Sequence, residues 1–247
     1  MPPDIHILQN PVPRELVDSL RQEIARLEGA RHLTREAPVS SGYGPLDNLL
    51  PGRGFHRGTL VEWLASGAGS GVESLALATA REACREGGAL VVFDLTREFY
   101  PPAAVRLGID SGSLIIVQAA NQSDNLWALD QALRCPGVAG VLAWPEKLDG
   151  RTFRRLQLAA EQGGGLGLLV RPQGARHEPS WAAVRLAIEP LPAVALHAPR
   201  RLKVELLRSR GGASGGSVEV EIDHETHPLY LVSPLAHPTA RRRAAGA

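Results

Sequence analysis

From residue 58 onward, short runs that are apolar at nearly every position alternate with longer stretches whose apolar residues recur at helical spacing. "TLVEWL" predicts a strand, 72–86 a helix, "ALVVF" a strand, 101–107 a helix and "SLIIVQ" a strand. The series continues with a helix at 123–134, the strand "VAGVLAW", a helix at 150–162 and the strand "LGLLV". Strands that are apolar on both sides of the pleat and separated by helices predict a mostly parallel α/β sheet, covered by helices on both faces. The pattern then changes. "AVRLAIEPL", "LKVELLRSR" and "SVEVEID" are strands with no helix between them, and the last two flank "GGASGG" as a C-terminal antiparallel hairpin.

Upstream, residues 14–28 place Leu16, Leu20, Ile24 and Leu27 on one face of a charged N-terminal helix, and residues 29–41 read as a polar linker. Three regions follow: an amphipathic helix and linker over 1–40, a core with its hairpin over 41–232, and a basic tail over 233–247 that includes "TARRRAAGA".

Composition narrows the class. In 247 residues, 44% hydrophobic and 21% charged residues predict a soluble globular protein with a large core. No apolar run approaches the roughly 20 residues of a membrane helix, and no membrane contact is expected. The first residues lack the basic start and apolar core of a secretion signal. Cys84 and Cys135 are too few for a disulfide framework and read as buried free thiols, which places the protein in the cytoplasm. The net charge of +1 says little about partners, although residues 171–247 hold 11 Lys and Arg against 7 Asp and Glu. All basic residues except Lys147 and Lys203 are arginines, a bias that GC-rich coding also produces.

The most suggestive chemistry lies in "ASGAGSGVESLAL", residues 65–77, a glycine-rich turn between the first core strand and its helix. That is the setting of a phosphate-binding loop, and it opens at the carboxyl end of a strand, where ligands of open parallel sheets sit. Yet where such a loop reads G-K-[ST], this one reads Gly71-Val72-Glu73. Ser70 and Glu73 instead have the S-x-x-E spacing of a capping box, in which Ser70 accepts from the Glu73 N–H and the Glu73 carboxylate reaches back. A phosphate would face that carboxylate. At about 5 Å and an effective dielectric near 20, each unit of phosphate charge costs roughly 3 kcal/mol. A glycine turn without a nucleotide is the better reading. Glu62 reads as a hydrogen-bonding edge of the core, and Ser70 has neither a nearby His nor a G-x-S-x-G context for nucleophilic work. His224 and His227 in "HETH" lack the spacing of a zinc helix, so no metal is expected.

"SGYGPLDNLLPGRGFHRGTLVEW" is similar to the segment leading into the RecA phosphate loop. "VVFDLTREFYPPAAVRLGIDSGSLIIVQ" is similar to a RecA stretch with its strand, Asp and Pro. "DNLWALDQALR", "VAGVLAWP" and "FRRLQLAAEQGGGLGLLVRP" complete the likeness: residues 41–188 resemble the RecA core, and more closely the ImuA family of RecA-like accessory proteins of bacterial mutagenic repair. Under that resemblance RecA's functional residues fall, one by one, on unsuitable side chains. The phosphate lysine falls on Val72 and the Mg²⁺ hydroxyl on Glu73. The catalytic glutamate, two residues past the Asp matched by Asp94, falls on Thr96, with Glu98 out of step. The Walker B aspartate falls on Trp144 and the sensing glutamine on Pro172. The resemblance therefore implies a pseudo-ATPase with no catalytic residues and no cofactor, its degenerate nucleotide site formed by Ser70, Gly71, Val72, Glu73, Thr96 and Trp144.

RecA's two DNA-contacting loops are reduced to about "PEKLDG" and "PQGARHEPS". The candidate DNA or partner contacts are Arg171, Arg176, His177 and Trp181, with Arg208 and Arg210 on the hairpin. A basic cluster with an aromatic can bind single strands by charge and stacking, although such charges, like Arg151, Arg154 and Arg155 on one helix face, are more often simply solvated. The resemblance further implies damage-induced (SOS) translesion synthesis as part of a mutasome, with association to the nucleoid when damage is present. The implied partners are an ImuB-like Y-family polymerase homologue and, through it, an error-prone replicative-type polymerase, with RecA and single-stranded DNA as further candidates. Two other classes stay open: a cell-division inhibitor like SulA, also RecA-like without ATPase residues, and an ATP-dependent recombinase-like DNA-binding protein.

Overall fold

A computed structural model describes residues 37–67, 69–192, 199–212 and 215–222, together with the backbone of 229–231. The expected helix at 14–28 and the basic tail lie outside the described residues, as do His224 and His227. The strands are β1 (Leu60–Ala65), β2 (Ala89–Phe93), β3 (Leu114–Val117), β4 (Val138–Ala143), β5 (Leu166–Pro172), β6 (Val184–Pro190), β7 (Arg200–Ser209), β8 (Ser217–Ile222) and β9 (Leu229–Leu231). The α-helices are α1 (Gly44–Leu49), α2 (Val72–Cys84), α3 (Pro101–Arg106), α4 (Gln122–Arg134) and α5 (Gly150–Gly163).

Among the described residues nine strands form one sheet, in the order β3-β2-β4-β5-β1-β6-β7-β8-β9. β1 to β6 pair in parallel, and β6–β7, β7–β8 and β8–β9 pair antiparallel. The α/β reading and the C-terminal hairpin are both seen. The hairpin of β7 and β8 is not the edge of the sheet, however, because β9 pairs with β8. At the other edge, β3 leaves the apolar Ile115 and Ile116 exposed.

The strands from β1 to β6 alternate between two cores because helices cover both faces. On one face Val61, Trp63, Leu168 and Val170 pack with Leu75, Ala76 and Ala80 of α2, and with Leu202 and Val220 of the hairpin. On the other, Leu60, Val141 and Leu169 pack with Leu129 and Leu133 of α4 and with Phe153 and Leu156 of α5. At Gly163 a Cβ atom would meet the Leu133 carbonyl oxygen at 2.1 Å, so the glycine lets the end of α5 approach the backbone of α4.

Two boundaries differ from expectation. Val39 is buried and bridges Phe55, so the polar linker ends before it, and α1 follows where the pattern suggested no element. Here Asp47 accepts from the Ser40 hydroxyl and the Ser41 N–H, local bonds that hydrophobic periodicity does not encode. Cys84 is half-buried and burial raises its thiol pKa, but Cys135 is exposed. Cys135 sits one residue past α4 with an extended backbone, which takes it off the helix face that packs inward.

Candidate functional site

A cleft of about 1290 Å³ opens at the carboxyl ends of β1, β2, β4 and β5. The turn after β1 contributes Ser66 and Gly67, α2 contributes Glu73 and Leu77, and the segment after β2 contributes Asp94, Thr96 and Glu98. Trp144 closes the wall after β4, and Arg171 and Pro172 lie at the end of β5. Glu73, Thr96, Trp144 and Pro172, matched from distant parts of the chain, therefore share one cleft, together with Arg171, a candidate DNA or partner contact.

Its turn is built differently from the expected capping box. Gly71, at φ +83°, is the N-cap of α2 and makes no side-chain capping bond. Only glycine adopts that left-handed conformation at little cost, and it moves the cap one residue past Ser70. Ser70 is buried, its hydroxyl has no hydrogen-bond partner among the described residues, and its N–H donates to the Gly67 carbonyl at 3.2 Å. Val72 is fully buried in the core. Glu73, half-buried in the first turn, reaches no partner among the described residues and lines the cleft.

Asp94 is committed to the loop that follows it. One carboxylate oxygen accepts the N–H groups of Glu98 at 2.9 Å and Phe99 at 3.3 Å, and the other accepts the Gln118 amide at 3.2 Å. This loop raises Phe99 and Tyr100 beside the cleft. The Phe99 ring lies 6.1 Å from that of Trp144, tilted at 49°. Thr96 donates to Glu98 at 3.4 Å. Glu146 and Lys147 are exposed on the rim without side-chain partners among the described residues.

Behind the cleft floor the charges are fully paired. Glu62, Arg171 and Arg185 stand on the adjacent strands β1, β5 and β6, with Glu62 opposite Arg185 in register. Both Glu62 and the Arg171 side chain are 0% exposed, and they pair at 2.6 Å. Arg185 reaches the other Glu62 oxygen at 2.6 Å, which also accepts the Ser180 hydroxyl. Arg171 continues to Glu178 at 2.6 Å, and Arg185 donates to the carbonyl oxygens of Ala175, Arg176 and Glu178. The loop after β5 is thus fastened to the sheet.

The predicted basic contacts do not form one patch. Arg171, expected as a contact in this loop, is consumed by the network, because burying a guanidinium requires carboxylate partners. Arg176 pairs with Glu205 at 3.2 Å and His177 is exposed. Trp181 is 41% exposed, with the Arg154 guanidinium 4.8 Å from its ring. Arg208 donates to the Ser180 carbonyl at 3.0 Å, while Arg210 gives its backbone N–H to Ala183 at 2.7 Å. The sequence reading missed the roles of Glu178, Arg185, Phe99 and Tyr100. The usable signal was a charged residue within the apolar β6, which implies a buried partner on the next strand.

No group of His, Cys, Asp and Glu among the described residues is placed to hold a metal ion, and no helix there is long and apolar enough to cross a membrane.

No protein-family model matches the chain. Among curated proteins it is 33% identical over 229 residues to Protein ImuA of Caulobacter vibrioides (strain NA1000 / CB15N), which covers 83% of this chain and 93% of that protein. Shorter similarities reach Protein RecA of Chlorobaculum parvum, 33% identical over 40% of this chain and 28% of that protein. Cell division inhibitor SulA of Photorhabdus laumondii is 31% identical over 33% of this chain and 46% of that protein.

Proposed function

The chain belongs to the ImuA family of RecA-like proteins, and from that premise we propose that it is a catalytically inactive accessory protein of damage-induced mutagenic translesion synthesis, acting through protein contacts. The observation that carries the reading is the cleft at the strand ends. At the turn where a phosphate-binding loop presents a lysine and a hydroxyl, Val72 is sealed in the core and Glu73, unpaired among the described residues, lines the cavity. With Trp144 at the position matched to the metal-binding aspartate, the cleft supplies neither phosphate charge compensation nor a Mg²⁺ ligand from these positions. Turnover of ATP is therefore not expected. Exposed apolar side chains away from the cleft, Ile115 and Ile116 on β3 and Trp127 on α4, support a role in contacts with proteins.

The proposed partners are an ImuB-like Y-family polymerase homologue, through it an error-prone replicative-type polymerase, and RecA, in the cytoplasm and at damaged nucleoid DNA. Partner contact is proposed for residues 200–247, where Arg208 is exposed and the strands continue to β9.

Titration calorimetry with Mg·ATP tests inactivity: no heat of binding is expected at micromolar concentrations, and micromolar affinity would overturn it. Chromosomal deletion tests the function, with loss of damage-induced mutagenesis expected. The shorter SulA similarity makes the alternative outcome concrete, since filamentation on overexpression with normal mutagenesis would favour a division inhibitor. Removal of residues 233–247 is expected to abolish mutagenesis while circular dichroism stays unchanged. Full partner affinity in a pull-down of that truncated chain would move the contact elsewhere.

A further inference from the structure

We propose that the strand-end cleft is a docking site for a partner protein's peptide segment carrying arginine or lysine between apolar residues. Its size is the first argument. At about 1290 Å³ the cleft exceeds the roughly 300–1,000 Å³ usual for small-molecule sites.

The charges supply the second. Of the charged residues lining it, Asp94 is held by its own loop, and Arg171 and Glu178 hold each other. Glu73, Glu98 and Glu146 have no cationic partner among the described residues, and Lys147 is the single unpaired cation facing them there. Folding explains the first group and leaves the second without compensation among the described residues. An excess of free carboxylate repels a nucleotide or a nucleic-acid backbone and attracts a cationic chain.

The wall chemistry points the same way. Trp144, Phe99 and Tyr100 stand beside these carboxylates, and Tyr100 is 67% exposed. Guanidinium groups stack on such rings while pairing with carboxylates in a planar fork. Leu77 and Ile222 add apolar surface for the intervening residues. Aromatic side chains at the centre of a concave surface are the residue types that carry most of the energy of protein interfaces. The proposal concerns the cleft alone and stands apart from the mutagenesis reading.

The test uses the full chain and unlabelled eight-residue peptides of leucine and alanine that carry zero to three arginines, followed by calorimetry at low ionic strength. Affinity is expected to tighten about fivefold with each arginine, as expected for attraction between partly solvated charges. In the Glu73→Gln/Glu98→Gln/Glu146→Gln variant this dependence should flatten, and the three-arginine peptide should bind about tenfold more weakly with thermal unfolding unchanged. Trp144→Ala should weaken the arginine peptides again. Absence of binding, affinity independent of arginine number, or full affinity in the triple variant would each overturn the proposal. A full-chain Arg241→Glu/Arg242→Glu/Arg243→Glu variant settles the competing occupant. If that variant binds the peptide much more tightly than the wild type, the cleft belongs to the chain's own tail and the partner assignment fails.

Discussion

Glu62 and Glu73 stand on either side of the same glycine-rich turn, and the fold treats them in opposite ways. Glu62 points into a dry layer, where Arg171, Arg185 and Ser180 satisfy both oxygens. Glu73 points into an open cleft and touches no partner among the described residues. Both positions follow from strand geometry: Glu62 lies within β1, while Glu73 starts the helix that leaves its carboxyl end. A paired, buried charge is accounted for by the structure around it. An unpaired charge on a concave aromatic surface is accounted for by what comes to meet it.

The largest effect that separates the two regions is expected at Glu62. Glu62→Ala leaves two buried guanidinium groups without their shared carboxylate, a loss of about 3–5 kcal/mol. Urea unfolding measures it directly. A loss below about 1 kcal/mol would mean that Arg171 and Arg185 find other partners or water, and that the network is not the anchor of the loop after β5. Glu146→Ala on the cleft rim serves as the contrast and should stay within about 0.5 kcal/mol of the wild type.

The turn itself gives the next effect. Gly71→Ala imposes a left-handed backbone on a residue with a Cβ, and that atom would lie 2.8 Å from Leu202 Cδ1. A loss of about 1–3 kcal/mol is expected. Gly69→Ala has a similar φ of +68° but open space around it, so backbone strain alone should cost about 1–2 kcal/mol. Equal losses at both positions would show that the packing of the turn against β7 is loose.

Much of the fold was legible because burial on both sides of the sheet makes its strands continuously apolar, as in "ALVVF" and "LGLLV". The cleft was legible as a place, since the turn after the first strand must open at the strand ends. Its interior was less so. Ser70 and Glu73 have the spacing of a capping box, but spacing does not reveal that Gly71 takes the left-handed turn and displaces the cap. Arg171 reads as a loop cation because Glu62 and Arg185 are distant in sequence, and only the β5–β1–β6 order brings Arg171, Glu62 and Arg185 together. Trp181 was visible as an aromatic near basic residues, but its stacking partner is Arg154 of α5, from a helix face that looked merely solvated.

Ser70→Ala sharpens that lesson with a smaller effect of opposite sign. A capping serine loses about 0.5–2 kcal/mol on truncation. Here the hydroxyl is buried and unpartnered among the described residues, so its removal relieves an unsatisfied polar group, and stability should hold or rise by up to about 1 kcal/mol. A clear loss in thermal unfolding would restore the capping role.

The smallest effect is expected at Glu73, where two contributions oppose each other. A carboxylate in the first turn interacts favourably with the amino end of α2, at about 0.3–1 kcal/mol when exposed and less in salt. Alanine is the better helix former by up to about 0.7 kcal/mol. With no capping hydrogen bond to lose, Glu73→Ala should change stability by less than about 0.5 kcal/mol in either direction. A reciprocal cap would instead cost about 0.5–2 kcal/mol, and raising the salt concentration separates the contributions because only the charge–dipole part is screened. A salt-independent loss above about 1 kcal/mol would show that Glu73 is tied into the turn after all. It would then no longer count among the free carboxylates of the cleft, and the contrast with Glu62 would disappear.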